Sequence, residues 1–198
     1  MGLRITGGRL SGRKLRTPRA GARPTADRVR ESLFARLGDL EGADVLDCYA
    51  GSGALGIEAL SRGARSLVCI ERARGTAAIL AKNLELLGLD SSSRVIRDEV
   101  TAALPRLGRA RERFDLVLMD PPYASKEAPE ALAALVRAGV LAVGATVVLE
   151  RGRSHPVPDV EGLSPLDERR YGDTVISRFT ASALEAATAS DEDGGPLE

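Results

Sequence analysis

Carboxylates recur at one kind of position along this chain, the carboxyl end of an apolar, strand-like run. Asp47 lies within the first run, in VLDCYAGSGALGIEALSRGA (residues 45–64). Glu71 ends the second, Asp98 follows the third, and Asp120 opens Asp120-Pro121-Pro122-Tyr123 after the fourth. A carboxylate near the end of a central strand is costly unless it faces a ligand or a ring of donors. Gly51, Gly53 and Gly56 fit the spacing G-x-G-x-x-G, whose glycines permit a tight turn and let a ligand approach the backbone at a helix N-terminus. Alone, that spacing is a weak signal. Glu71 stands about 20 residues past Gly51, where a carboxylate can accept hydrogen bonds from both hydroxyls of an adenosine ribose. Asp98 is placed to serve the adenine amino group.

These features suit a nicotinamide dinucleotide as well as S-adenosylmethionine. The fourth run chooses between them. Asp120-Pro121-Pro122-Tyr123 sets a carboxylate before two residues that lack an N–H, so their free carbonyls act only as acceptors. An aromatic follows. A planar base with an exocyclic amine fits this group: the Asp120 carboxylate and the Pro121 carbonyl accept its two N–H bonds while Tyr123 stacks on the ring. A dehydrogenase has no use for such an arrangement.

The elements that must position these residues alternate. Strands are expected near Val45, at 66–71, 94–97, 114–120 and 146–150, with helices at 54–62, 76–87, 100–107 and 128–138 between them. Two further strands, near 169–171 and 174–180, meet at Gly172-Asp173 as a hairpin. The pattern predicts an α/β fold, a mostly parallel seven-stranded sheet with helices on both faces and an antiparallel C-terminal hairpin. Open sheets of this kind bind ligands beyond the carboxyl ends of their strands, where all four carboxylates fall.

Before this unit, residues 3–6 and 13–15 read as a hairpin and Thr25 as the cap of a helix running to Leu37. The formal net charge is zero, but residues 1–36 hold Arg4, Arg9, Arg13, Lys14, Arg16, Arg19, Arg23, Arg28, Arg30 and Arg36 against Asp27 and Glu31, ten minus two, or +8. The remainder must carry −8. Arginine forks onto phosphate and stacks on bases, so the segment is expected to contact nucleic acid. As a separate basic arm, residues 1–20 are expected to be removable without harm to the cofactor edge. Residues 183–198 form a small, polar, acidic tail, expected to be disordered. The predicted division is therefore 1–40, a basic RNA-binding extension; 41–182, the catalytic domain; and 183–198, the tail.

Cys48 and Cys69 fall in apolar runs outside any C-x-x-C pair, and His155 is the single histidine. Reduced buried thiols are expected, with too few parts for a zinc site or serine–histidine catalysis. No run approaches the ~18 apolar residues of a membrane span. A cytoplasmic monomer without metal is expected.

DPPY with the glycine turn is similar to the class I amino-methyltransferases, whose fold is Rossmann-like. LDCYAGSGALGIEALSRGA together with RITGGRLSGRKL and RPTADRVRESLF resembles one bacterial family among them, the RsmD family, which methylates the N2 of a guanine in 16S ribosomal RNA. The likeness runs from about Arg4 to Phe179 and includes YGDT at 171–174. It implies that Asp47, Ala50, Gly51, Ser52, Gly53, Glu71, Arg72 and Asp98 hold S-adenosylmethionine. It implies too that Asp120, Pro121, Pro122 and Tyr123 hold the guanine. Arg4, Arg9, Arg13, Lys14, Arg16, Arg23, Thr25, Arg28 and Arg30 would then grip RNA of the small ribosomal subunit. The rival reading is a DNA adenine-N6 methyltransferase, which shares DPPY; no inserted target-recognition domain is visible, and the basic segment matches the RNA-modifying family.

Overall fold

The computed structural model describes residues 3–18, 24–121, 127–156 and 159–182, with the backbone alone for residues 24–26 and 127. Among the described residues there are seven strands: β1 (Asp44–Cys48), β2 (Ser66–Ile70), β3 (Ser93–Ile96), β4 (Phe114–Met119), β5 (Leu141–Gly152), β6 (Leu163–Tyr171) and β7 (Thr174–Ala181). They form one sheet in the order β3-β2-β1-β4-β5-β7-β6. β1 pairs in parallel with β2 and β4, and β3 and β5 extend the parallel part on either side. β7 runs antiparallel between β5 and β6. The chain moves outward from β1 to β3 and then returns to lay β4 on the other side of β1. Strand order therefore reverses between β1 and β4, and a crevice opens beyond their carboxyl ends.

Alternation along the central strands sorts side chains onto two cores. Val45, Leu116 and Leu118 join one, with helices α1 (Pro24–Leu37), α2 (Ala54–Ser61) and α3 (Arg74–Leu86). Leu46, Cys48, Val117 and Met119 join the other, with α4 (Val100–Arg109) and α5 (Glu127–Ala138). On α4, Val100, Ala103, Leu104 and Leu107 are buried, a spacing that places them on one face of the helix. Cys48 and Cys69 are buried free thiols. Among the described residues, no helix is long and apolar enough to cross a membrane, and no group of three or more His, Cys, Asp or Glu is gathered to hold a metal.

The N-terminal segment overturns the expectation of a removable arm. Leu3, Ile5 and Leu15 are buried in the first core, and an antiparallel bridge between Arg4 and Lys14 closes the hairpin. Its Gly8 lies against the end of α2 so closely that a Cβ there would stand 1.9 Å from the Ser61 carbonyl oxygen. The Ser61 hydroxyl donates to the Gly7 carbonyl at 2.6 Å and accepts the Leu10 N–H at 2.9 Å. Beneath them Glu58 of α2, fully buried, accepts from the Thr6 N–H and hydroxyl at 2.8 and 2.7 Å and from Arg30 at 3.3 Å. Deleting residues 1–20 would take three buried apolar side chains out of the first core and remove Thr6 from a buried carboxylate.

Helix α1 is joined to the far edge of the sheet as well. The hydroxyls of Ser32 and Tyr171 are 2.6 Å apart. Arg178 of β7 donates to the Arg36 carbonyl at 2.7 Å, and Asp167 of β6 pairs with both Arg36 and Arg178. Those two guanidiniums, Arg178 first, pull the Asp167 carboxyl down to about 2.

Candidate active site

The turn after β1 begins with strain. Tyr49 has φ +64°, a left-handed conformation that non-glycine residues seldom adopt, and one that recurs at functional sites. The Ala50 N–H then returns to the Ile70 carbonyl of β2 at 3.0 Å, and the Gly53 N–H closes on the Ala50 carbonyl at 2.8 Å. Gly53, at φ +88°, is covered: a Cβ would meet Leu80 at 2.4 Å and Ile57 at 2.9 Å. Gly51 is open, with nothing nearer to such a Cβ than 4.0 Å. Of the two, Gly51 is the one a ligand can approach.

Gly53 has no side chain with which to cap α2. Asp47 supplies the cap from β1, its Oδ2 accepting the Gly56 N–H at 2.8 Å, where the helix dipole favours negative charge. Burial raises its carboxyl to about 7; the Gly56 bond opposes the rise and the charge of Glu71 adds to it. With 1% of its surface exposed, Asp47 stands behind the turn.

Glu71 ties the turn to the next strand. Its Oε2 accepts the Gly51 N–H at 3.0 Å and its Oε1 the Ala73 N–H at 2.7 Å. Beyond it lies a cavity of about 130 Å³ whose walls include Tyr49, Ile70, Glu71, Arg72, Asp98 and Asp120. Asp98 is ion-paired with Arg106 and accepts the Glu99 N–H at 2.8 Å, and both bonds, Arg106 first, lower its carboxyl. Arg72 pairs with Glu99 at 3.2 Å on the rim.

Asp120 follows β4 into the same cavity. As a residue it is exposed on the cleft side, yet protein atoms crowd its carboxyl. That desolvation, followed by the charges of Glu150 and Asp47, lifts it well above the ordinary carboxylate range. Water at the open face screens part of the rise. Pro121 is buried; Pro122 and Tyr123 lie outside the described residues.

Three residues of this region escaped the sequence reading. Tyr49 looks like one more strand residue until its φ is known. Glu150 lies within β5 beside Asp120, the register pairing Leu149 with Met119; it closes the strand expected at 146–150, so the same strand-end rule that found Glu71 and Asp120 could have found it. Asn83 of α3 donates to the Ser52 carbonyl at 2.9 Å, and no motif announces it.

Of the basic residues assigned to RNA, Arg4, Arg9, Arg13, Lys14, Arg16 and Arg28 are exposed. Arg30 is not: 4% exposed, it is held by Glu58, by Asp27 at 3.1 Å and by the Arg4 carbonyl. Its donors serve the fold, and it leaves the set of candidate phosphate contacts. Arg19 and Arg23 lie outside the described residues. Helix α1 begins at Pro24, which puts Thr25 inside the helix rather than at its cap; the Thr25 side chain is not described.

A family model described as "Conserved hypothetical protein 95" matches residues 3–180. "Ribosomal RNA small subunit methyltransferase D" of Escherichia coli strain K12 is 37% identical over 193 residues, 96% of this chain and 94% of the relative. The Haemophilus influenzae protein of the same name is 33% identical over 172 residues, covering 86% and 89%. The solved structure of Escherichia coli yhhF, whose description proposes a methyltransferase, superposes with a TM-score of 0.82 at 34% identity over 91% of this chain and 98% of that one. A sheet reversing between β1 and β4, carboxylates gathered at that reversal, and matches along nearly the whole length agree: the chain belongs to the RsmD family, the one whose model carries the description conserved hypothetical protein 95.

Proposed function

We propose that the protein methylates ribosomal RNA of the small subunit, with S-adenosylmethionine as donor and the exocyclic N2 amine of a guanine in 16S RNA as acceptor. The observation that carries the reading is Asp120 meeting Glu71 and Asp98 in one cavity at the reversal of strand order. The names borne by the relatives support ribosomal RNA as the substrate class.

The residues present fit the cofactor. Gly51 leaves open space beside the turn, Glu71 offers acceptors to ribose hydroxyls, Asp98 to an adenine amine, and Ile70 and Val100 give the cavity apolar wall. Ala50, Ser52 and Gly53 shape the turn, Asp47 holds it from behind, and Arg72 closes the rim. When bound, S-adenosylmethionine supplies a methyl group made electrophilic by its sulfonium.

The acceptor amine is a poor nucleophile because its lone pair is delocalised into the ring. Asp120 and the Pro121 carbonyl, accepting its two hydrogens, would favour a pyramidal nitrogen and fix its direction, while Tyr123 stacks on the base. The amine releases one proton as nitrogen gains carbon. A carboxylate held above its ordinary range by desolvation, and then by the charges of Glu150 and Asp47, is basic enough to receive it. The exposed basic residues of the N-terminal segment would hold phosphates around the target.

Mass spectrometry of nucleosides from 16S RNA, in cells lacking the protein and in cells given it back, tests the reading. One N2-methylguanosine should vanish and return. Unchanged RNA with loss of N6-methyladenine from DNA would establish the DNA-modifying alternative instead.

A further inference from the structure

Arg16 of the N-terminal arm and Ser52 of the turn after β1 share one partner. Asn83, 2% exposed in α3, accepts the Arg16 N–H through Oδ1 at 2.9 Å. Its Nδ2 donates to the Arg16 carbonyl at 2.9 Å and to the Ser52 carbonyl at 2.9 Å. Its acceptor and both of its donors are thus engaged. Toward Arg16 the amide mimics a neighbouring strand, and its second donor reaches the loop whose Gly51 is open. A buried amide with these partners is costly to break, so the arm and the turn hold their shapes together.

We propose that Asn83 is a positioning residue that couples the two binding surfaces: RNA held by the arm tightens the grip on the cofactor, and the cofactor tightens the grip on RNA. This rests on the assignment of the turn to S-adenosylmethionine and of the arm to RNA. A ligand that orders one side reduces what the other must lose on ordering, and the effect is equal in both directions. Asn83 touches neither the base nor the reacting atoms.

Two changes at one residue isolate the link. Arg16→Ala removes the guanidinium and keeps the N–H and carbonyl that Asn83 holds; Arg16→Pro removes the guanidinium and the N–H together. Neither alters Ser52 or α3. The probe is S-adenosylhomocysteine, which has no methyl to transfer, titrated calorimetrically with and without a saturating 16S RNA transcript, with folding checked by thermal unfolding. In the wild type and Arg16→Ala the transcript should tighten its binding by about 5-fold or more, the low end of measured couplings, and in Arg16→Pro most of that gain should be lost. In the wild-type protein without RNA, hydrogen exchange in residues 13–17 should slow when S-adenosylhomocysteine is added.

Equal coupling in Arg16→Ala and Arg16→Pro overturns the proposal, as does a wild type whose cofactor affinity ignores the transcript while each ligand still binds. If Arg16→Pro does not fold, the exchange measurement decides alone: unchanged exchange in residues 13–17 overturns it. A wild type that fails to bind S-adenosylhomocysteine at all overturns the cofactor assignment itself.

Discussion

Arg30 and Glu58 meet at 3.3 Å with almost no exposed surface on either side chain, and they join the helix before the sheet to the helix that follows the glycine turn. Glu58 also holds Arg62 at 2.9 Å, and the Arg62 guanidinium lies over the Phe34 ring, 5.2 Å from its centre. Removing one member of a buried pair costs about 3–5 kcal/mol. Arg30→Met should lose about 3 kcal/mol in urea unfolding, since Thr6 and Arg62 remain on Glu58, and adding Glu58→Gln should restore part of it. Under conditions where it remains folded, Arg30→Met should bind RNA with an unchanged salt dependence; a shallower one would return Arg30 to the RNA surface.

The exposed cations should behave in the opposite way. Replacing Arg9, Arg13 and Lys14 by alanine leaves Leu3, Ile5 and Leu15 in place, so stability should change little. The slope of log affinity for RNA against log salt should become shallower by roughly 0.7–0.9 for each phosphate that is no longer neutralised. Binding at several salt concentrations measures it, and an unaltered slope would show that these side chains meet only solvent.

Glu71 holds the turn through Gly51 and Ala73 and faces the cavity as well. Glu71→Ala should weaken S-adenosylmethionine binding by about 10–100-fold, the range for hydrogen bonds to a charged group. Calorimetry decides, and equal affinity in the two proteins would take Glu71 out of the site.

Asp120→Ala should retain cofactor binding and lose roughly 10²–10⁴-fold in methyl transfer to 16S RNA, the range for a positioned acid or base. Transfer of a tritiated methyl to small ribosomal subunits is the measurement. Turnover at the wild-type rate would mean that another group holds the amine.

Asp47 links the site to pH. Its folded value of about 7 lies above the ~3.9 of an unfolded aspartate, so the folded protein binds the extra proton between these values. Stability from this group is complete below about pH 4 and is lost as pH rises through about 7. Asp47→Asn keeps an acceptor for the Gly56 N–H and carries no charge. It should be more stable than the wild type above pH 7, by at most roughly 4 kcal/mol, with the gap closing toward pH 4. Urea unfolding at pH 4 and pH 8 tests this; a difference independent of pH would mean that Asp47 ionises like a solvated carboxyl.

The parallel half of the sheet was legible because Val45, Leu67 and Leu116 sit in short apolar runs bounded by turn residues. Their carboxyl ends could be aligned without coordinates, which brought Glu71, Asp98 and Asp120 together. β5 reaches back to Leu141, where a register shift between Phe114 and Leu116 accommodates the exposed Val143 and Gly144 and breaks the alternation that marks a strand. β6 starts at Leu163 because an edge strand tolerates the proline and charges of LSPLDERRY. Arg30 was unreadable for a different reason. An arginine among arginines carries no mark of its partner, and Glu58 is 28 residues away.

Ser32 and Tyr171 stand 139 positions apart, and proteins are synthesised from the amino end. Helix α1 therefore leaves the ribosome long before the strand that secures its outer side exists, and β7 must enter between β5 and β6 before the sheet is complete. Contacts of such long sequence separation slow the final step of folding. A chain halted before Tyr171 would have its basic segment and glycine turn already made, yet α1 would lack the hydroxyl that holds Ser32.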